Sequence, residues 1–465
     1  MLIPKVSIPF ATTNDAESSL LRRLSIIGIV YAKLPIQKLH ELAPLEPAED
    51  TMPCELALKA SLLDTRTLLG PFSSDMIDVL ALWLDQGIAQ VLVDLATSED
   101  VELERIATAI SELPASRLMV RISVLSPLAD EFAKLQEKLF KLRGLISGVV
   151  LVLDSVTLLH ERGFKDLCLS LQALRKSLKD SFRIAIEMAT FPASDSDSFI
   201  ILKQIQELHN QHIDVVTSGY CNDNETQQPC TVLTADNDGV VDAARSFVQC
   251  LRTDRPDGLF TTVVTDEGGV ALGLVYSSTE SVLAAIESRR GVYFSRSRGG
   301  LWKKGESSGN AQTLIKIDVD CDSDALRFTV NQSGTGFCHL NTRTCWGQDT
   351  GLRALESLLY RRHAHAPAGS YTKRLFDDAA LLRNKLVEEA QELAEAKSIP
   401  DVAGEAADVM YFAMVRCVAA GCKLSDVEKM LDKRALKVKR RPGNSKPYRI
   451  SVANEILSCN SNSAT

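Results

Sequence analysis

Apolar positions divide the chain into three regions with different periods. Up to about residue 235, short apolar runs alternate with longer stretches of 3.6-residue periodicity. Leu24 to Tyr31, Gln90 to Asp94, Leu118 to Ile122, Gly148 to Leu153, Arg183 to Glu187 and Ile213 to Val216 read as strands. Asp75 to Gln86, Asp100 to Leu113, Leu128 to Leu142 and Asp166 to Lys179 read as helices. Continuous β-branched runs separated by helices predict a parallel sheet covered on both faces. Residues 1–235 are therefore expected to form an α/β domain, doubly wound or barrel-like, with the barrel favoured.

A polar stretch rich in Asn, Asp and Gln, from Gly219 to Asp236, predicts a linker out of this domain. Residues 237–348 then read as a small, mainly β domain. After a helical lead-in (Val240 to Leu251), strands from Arg252 to Val264 and from Val270 to Tyr276 are expected to form a hairpin through Glu267-Gly268-Gly269. A helix is expected from Thr279 to Ser288 and a strand from Val292 to Ser297. Beyond Gly351 the pattern changes to long amphipathic helices, expected at Leu352–His363, Thr372–Ala396, Val402–Ala420 and Leu424–Lys437. Pro400 sits in a turn of about four residues, which makes the second and third of these antiparallel neighbours in an all-α bundle over residues 351–447. Residues 448–465 read as a tail.

Composition bounds these elements without adding chemistry. Hydrophobic residues make up 45% of 465 and the formal charge is −8, which argues for globular cores and against general affinity for nucleic acid. The first 30 residues lack the pattern of a signal peptide, and no apolar run reaches the roughly 18 residues of a membrane span. The 11 cysteines are scattered without the rhythm of a disulfide framework, so a reducing cytoplasm is the expected setting.

In the α/β domain no glycine-rich phosphate loop opens a helix. Asp94, Asp154 and Glu187 do stand at strand ends, where α/β active sites lie. No basic or histidine set visibly partners them, so helix capping or solvation is the favoured reading, and His160, His209 and His212 read as ordinary helix-associated residues. The role of the domain stays open between a small-molecule site, a docking surface and a vestige.

Chemistry concentrates at Asp318-Val-Asp320-Cys321-Asp322-Ser-Asp324, which apolar flanks on both sides mark as a strand. Strand alternation would place Asp320, Asp322 and Asp324 on one face and Cys321 on the other. Clustered carboxylates suit Mg²⁺ or Ca²⁺. Cys321, Cys338 and Cys345, with His339 beside the second, are a plausible zinc set that leaves a position open for water. Each cluster taken singly is equally well a solvated face or a set of small core residues. Further on, Glu388, Glu389 and Glu392 share a helical face, and Glu405 and Asp408 lie one turn apart on the next helix, so the five can converge on Mg²⁺. Exposed helical glutamates are also commonly just solubilising.

Several rare words in one order complete the picture. Gly291-Val-Tyr-Phe-Ser-Arg296-Ser-Arg298, Leu301-Trp302-Lys-Lys304-Gly305-Glu306-Ser-Ser308-Gly-Asn310, the Asp-Cys-Asp-Ser-Asp run, Cys338-His339 and Cys345 closely resemble phosphoribosyl-AMP cyclohydrolase. The Glu388-Glu-Ala-Gln-Glu392 and Glu405-Ala-Ala-Asp408 pair resembles phosphoribosyl-ATP pyrophosphohydrolase. The two in this order resemble the first two activities of fungal trifunctional histidine-biosynthesis proteins.

The resemblance implies release of pyrophosphate from phosphoribosyl-ATP, then hydrolytic opening of the adenine ring of phosphoribosyl-AMP. It implies zinc on Cys321, Cys338 and Cys345, gathered across two subunits of a homodimer, with His339 as proton shuttle. Mg²⁺ falls to Asp320, Asp322 and Asp324 and to Glu389, Glu392, Glu405 and Asp408. Arg296, Arg298, Trp302, Lys304, Gly305, Glu306, Ser308, Lys373 and Arg374 fall to the phosphorylated substrates, with the basic run Lys433 to Arg441 as a further phosphate-binding candidate. Two rivals are a general nucleotide pyrophosphatase with a structural zinc module and a non-catalytic scaffold. The chain is expected to lack the dehydrogenase region of the trifunctional proteins.

Overall fold

The computed structural model describes residues 2–8, 16–44, 52–95, 100–124, 129–153, 161–178, 182–188, 195–222, 229–230, 241–438 and 447–461. By its contacts the chain forms two units, Met1–Phe337 with Leu436–Val438, and Cys338–Ala435 with Lys439–Thr465.

The first unit opens with a closed parallel barrel. Its strands are β1 (Leu2–Ser7), β2 (Val30–Lys33), β3 (Thr67–Phe72), β4 (Gln90–Asp94), β5 (Leu118–Val124), β6 (Gly148–Leu153), β7 (Arg183–Met188) and β8 (Ile213–Asn222). Each pairs in parallel with the next, and β8 returns to β1 with Leu2 opposite Val215 and Lys5 opposite Ser218. Closure settles the choice between the two α/β architectures in favour of the barrel. The continuous apolar runs follow from burial on both strand faces, as in β6, where five of six residues are buried. Ile3, Tyr31, Leu68, Leu92, Met119, Val150, Ala185 and Val216, one from each strand, form an apolar layer inside the barrel. The opposite faces pack under the outer helices, where the fully buried Trp83 indole donates to the Leu39 carbonyl at 3.0 Å.

The sequence expectations in this region need correction in part. Leu24 to Tyr31 is not one strand: the helix Ala16–Leu24 ends there and β2 begins only at Val30. Ile26 and Ile27 are buried in the connection, so an apolar run did not distinguish buried turn from strand. β1 and β3 were not foreseen because Pro4 and Pro71 stand inside them, and proline demotes a sequence run from strand. Asp154, His160 and most of the linker (223–228 and 231–236) lie outside the described residues.

A six-stranded mixed sheet completes this unit. Its order is Gly300–Lys303, Val292–Ser295, Ala271–Ser277, Phe260–Thr265, Ala325–Gln332, Gln312–Val319. The expected hairpin through Glu267 to Gly269 is present, and Phe260–Thr265 also runs parallel to Ala325–Gln332. The helix Thr279–Ser288 starts in a reciprocal cap, Ser278 and Ser281 each accepting from the other's backbone N–H. Barrel and sheet share one continuous apolar core, from Leu2 to Phe337.

The second unit is helical: Gly351–His365, Tyr371–Asp377, Ala379–Glu395, Ile399–Ala419, Leu424–Ala435 and Pro447–Ser461. The expected helix from Thr372 to Ala396 is split at Asp378, whose carboxylate accepts from Leu381 N at 2.9 Å and caps a new helix. Leu359, Leu375, Leu382, Phe412, Met414, Val415 and Val418 form its core. No described helix is long and apolar enough to cross a membrane.

Candidate functional site

The acidic run is a hairpin tip rather than a strand. Gln312–Val319 ends before it and Ala325–Gln332 begins after it, leaving residues 320–324 as a tight connection with Ser323 at φ +70°. Aspartates favour such turns because their carboxylates bond the backbone a few residues on. Asp320 Oδ1 accepts from the N–H groups of Asp324 and Ala325, both at 3.0 Å. The fold of the loop thus does what alternation was expected to do: carboxylate oxygens of Asp320, Asp322 and Asp324 lie within 4.8 Å of one another. Burial pushes the Asp320 carboxyl up, but the two backbone donors outweigh it and hold it below the usual range. The neighbouring Asp322 charge raises Asp324. All-oxygen donors at this spacing fit a hard divalent cation.

The tip is held from below. Ser323 Oγ lies 3.1 Å from His209 Nε2, and the Ser323 carbonyl accepts from Arg252 N at 2.8 Å. Asp318 does not join the cluster. It is ringed by Arg66 at 2.8 Å, Lys316 at 3.1 Å and Arg327 at 2.8 Å.

The three cysteines are divided between the two units. Cys321 is exposed in the first unit; in the second, Cys338 is buried and Cys345 exposed. Among the described residues, the sets of carboxylate, thiol and imidazole donors within 4.8 Å are acidic ones. Exposed His339 has Nδ1 4.0 Å from Cys338 Sγ, in a turn closed by Cys338 N to the Thr342 carbonyl.

Arg296 and Arg298 lie not on a strand but in the turn after Ser295, both exposed, with the Arg296 guanidinium 4.1 Å from the Tyr276 ring centre. Trp302 packs against Tyr293. Lys304 Nζ donates to the Phe337 carbonyl at 2.6 Å and sits over the Trp302 and Phe337 rings, which makes it a brace of the loop. Gly305, at φ +88°, has no room for a side chain: a Cβ would lie 2.3 Å from the Ala311 nitrogen. Glu306 and Ser308 are exposed, and Ser308 Oγ accepts from Asn310 N. Asn310, buried, ties this loop to the next by accepting from Thr335 N at 2.9 Å.

In the second unit, Glu389, Glu392 and Glu405 bring carboxylate oxygens within 4.8 Å of one another across the antiparallel helices Ala379–Glu395 and Ile399–Ala419. Ser398, whose Oγ accepts from Asp401 N, caps the second of these, and Pro400 sits in its first turn. Glu388 and Asp408 stand outside this trio. Burial, then the charges of Glu389, Glu405 and Glu388, raise the Glu392 carboxyl. This set also fits a magnesium-like cation.

Sequence reading missed Lys385, which lies 2.7 Å from Glu389 and 3.1 Å from Glu388. Its signal was the spacing of three and four residues ahead of the two glutamates. Lys373 pairs with Asp377 at 3.1 Å, and Arg374 is exposed. The basic residues Lys439, Arg440 and Arg441 lie outside the described residues.

Comparison with known proteins falls on these two regions. Residues 273–347 match the phosphoribosyl-AMP cyclohydrolase family and residues 352–435 the phosphoribosyl-ATP pyrophosphohydrolase family. A histidine biosynthesis trifunctional protein of Komagataella pastoris is 57% identical over 197 residues, 42% of this chain and 23% of that protein. A histidine biosynthesis bifunctional protein of Schizosaccharomyces pombe is 52% identical over 216 residues, 46% of this chain and 52% of that protein. One of Bacteroides thetaiotaomicron is 31% identical over 194 residues, 39% of this chain and 94% of that protein. The matched part of the chain spans about a quarter of the length of the trifunctional relatives.

Proposed function

The chain belongs to the family of histidine biosynthesis bifunctional proteins, and from that premise we propose that it carries out two consecutive hydrolyses. The helical unit converts phosphoribosyl-ATP to phosphoribosyl-AMP and pyrophosphate; the residues around the mixed sheet then open the adenine ring of that product. The observation that carries the reading is that each matched segment contains its own carboxylate trio, Asp320/Asp322/Asp324 in one and Glu389/Glu392/Glu405 in the other.

In the first step water adds at phosphorus and the bond to the departing pyrophosphate breaks. Glu389, Glu392 and Glu405 would hold magnesium there, with Glu388 and Asp408 alongside. Lys385 holds Glu388 and Glu389 in place through its two ion pairs. Exposed Arg374, and Lys373 once released from Asp377, face the phosphates.

In the second step water adds to the ring carbon C6 and the N1–C6 bond breaks. Asp320, Asp322 and Asp324 would hold magnesium for the phosphorylated substrate, while Arg296 and Arg298 offer guanidinium forks to its phosphate. Cys321, Cys338 and Cys345 are the donors suited to zinc. We place that zinc in a homodimer, as the resemblance to phosphoribosyl-AMP cyclohydrolase implies, with Cys321 and Cys345 exposed. His339 takes the proton from water and returns it to the ring nitrogen. Bound magnesium neutralises phosphate charge and zinc supplies Lewis acidity toward water, a contribution that needs the thiols reduced, as in the cytoplasm.

The test is incubation of the full chain with phosphoribosyl-ATP, Mg²⁺ and Zn²⁺, following pyrophosphate release and the ultraviolet change of ring opening. Cys338→Ser should abolish only the second signal. Glu392→Gln should abolish pyrophosphate release yet leave ring opening of supplied phosphoribosyl-AMP intact. Loss of ring opening in a folded Glu392→Gln protein would overturn this division of labour.

A further inference from the structure

Neither family match reaches the barrel, which ends before residue 273. Its interior nevertheless carries a second layer of a different kind. Lys5, Asp94, Arg121, Glu187 and Ser218 each stand two residues beyond a member of the apolar layer on the same strand, so they share its inward face on the side of the strands' C-terminal ends. Arg121 bridges Glu187 at 2.6 Å and Asp94 at 3.1 Å, and Lys5 lies 3.6 Å from the other oxygen of Glu187. The strand-end carboxylates Asp94 and Glu187 thus have the basic partners that sequence reading found missing. The Tyr31 phenol faces the same groups: burial first, then the Glu187 charge, pushes its ionisation well above the ordinary range.

Such a layer is expensive as mere filling, because apolar side chains would occupy the space without desolvating four charges. It is also incomplete. Tyr31 Oη, Asp94 Oδ1 and Ser218 Oγ are buried without a hydrogen-bond partner, although Tyr31 is only 1% and Ser218 only 3% exposed. Native interiors rarely leave such atoms unpaired, and three at one level of the barrel, two in this layer and the Tyr31 hydroxyl reaching it from the layer beside it, call for an explanation. The layer can be reached, since the side chains of Arg121 and Asp94 keep 18% and 23% exposure. The C-terminal side of a parallel barrel is also where such folds bind their ligands.

We propose that this inner layer is a binding site for a small neutral polyhydroxylated molecule, a free sugar or polyol, separate from both hydrolytic centres. The chemistry follows from the unpaired atoms. Asp94 Oδ1 only accepts, whereas the two hydroxyls both donate and accept. A hydroxylated ligand satisfies all three, giving a proton to Asp94 and exchanging bonds with Tyr31 and Ser218. An ammonium would only donate and leave both protein hydroxyl protons unused. Lys5 and Arg121 already balance Asp94 and Glu187, so the layer has no need of a charged ligand.

The test uses the full chain and a panel of D-ribose, D-xylose and myo-inositol, followed by saturation-transfer NMR and calorimetric titration, with inorganic phosphate as the charged control. At least one polyol should bind saturably. Tyr31→Phe, which removes only an unpaired oxygen, should weaken that binding about tenfold or more while leaving the free protein at least as stable. Ser218→Ala should act in the same direction, and neither substitution should alter pyrophosphate release or ring opening. The proposal is overturned if no panel member binds, if Tyr31→Phe binds as well as the parent, or if phosphate displaces the polyol. Because the readout is binding in the barrel, these outcomes are independent of whether the hydrolytic assignment stands.

Discussion

Arg66 donates from Nη1 to Asp318 Oδ1 at 2.8 Å, joining residues 252 positions apart in the chain. Arg66 immediately precedes β3, and Asp318 lies two residues before the acidic hairpin tip. A backbone bond from Ile317 N to the Ile26 carbonyl at 2.7 Å runs beside the ion pair. His209 and Arg252 brace the tip itself. Ile26, Arg66 and His209 all lie just ahead of barrel strands, so the sheet is seated on the N-terminal side of the barrel. The polar inner layer lies toward the opposite end. One end of the barrel supports a neighbouring site and the other is left for a ligand of its own, in line with the usual division between stabilising and functional faces of such barrels.

Removing Arg66 should therefore be felt in ring opening. Arg327 and Lys316 still balance Asp318 in Arg66→Ala, so the stability loss should be modest, about 1 kcal/mol by denaturant titration. Asp318→Ala should cost more, about 2 kcal/mol, because it leaves three cations facing one another in a partly buried place. In both variants ring opening of supplied phosphoribosyl-AMP should fall while pyrophosphate release holds. An equal fall in both activities would show that the pair supports the whole chain and not the acidic tip.

A second support responds to pH. Burial, with the positive charge of Arg252 nearby, depresses the His209 imidazole from 6.5 to about 4, against the opposing pull of Asp214. A base held neutral by folding binds its proton more readily when unfolded. Stability should thus be undiminished by this group above pH 6.5, decline as pH falls from 6.5, and level off below about 4. The melting temperature of the parent, measured across that window, should drop more steeply than that of His209→Gln. Parallel curves would exclude His209 as the source.

In the helical unit the expected effect has the opposite sign. Glu392 is raised by burial and by Glu389, Glu405 and Glu388, so without a cation its contribution favours the folded state at low pH and is lost as pH rises through the raised value. At neutral pH and without divalent ions, Glu392→Gln should be about 0.5 kcal/mol more stable than the parent, the scale of one relieved like-charge contact on helices. With saturating Mg²⁺ the order should reverse, since only the parent gains the full binding energy, about 2.7 kcal/mol at a hundredfold excess over Kd. Denaturant titration with and without Mg²⁺ reads both halves.

The sequence was most legible where chemistry is local. The helical glutamates sit three and four apart, and the helix Thr279–Ser288 carries its own cap, so both could be seen before any tertiary contact was known. The acidic run was misread as strand because its apolar flanks alternate in both directions, and a two-residue period continues through a tight turn without a visible break. Lys5, Asp94, Arg121 and Glu187 were opaque for another reason. They are scattered over most of the barrel sequence, and only closure of β8 on β1 brings them into one layer.

Lys385 was missed although its spacing was in plain view, and it yields a separable prediction. Its ammonium is held by Glu389 and Glu388 and packs 5.6 Å from the Phe412 ring centre; burial would lower its pKa, but the two carboxylates outweigh that and raise it. Glu389 is buried, so deleting the cation leaves a buried carboxylate facing Glu392 and Glu405 with nothing to offset it. Lys385→Met should thus destabilise the metal-free protein by about 2 kcal/mol, less than the loss for a fully buried pair because Glu388 and Lys385 are only partly covered. The same deficit makes the trio a stronger attractor for cations, so Mg²⁺ should restore more stability to Lys385→Met than it adds to the parent. Lys385→Arg should remain near the parent in both conditions, since it keeps the charge. Calorimetric unfolding across a Mg²⁺ series distinguishes these outcomes, and a Lys385→Met protein indifferent to Mg²⁺ would mean that the glutamates are not a cation site.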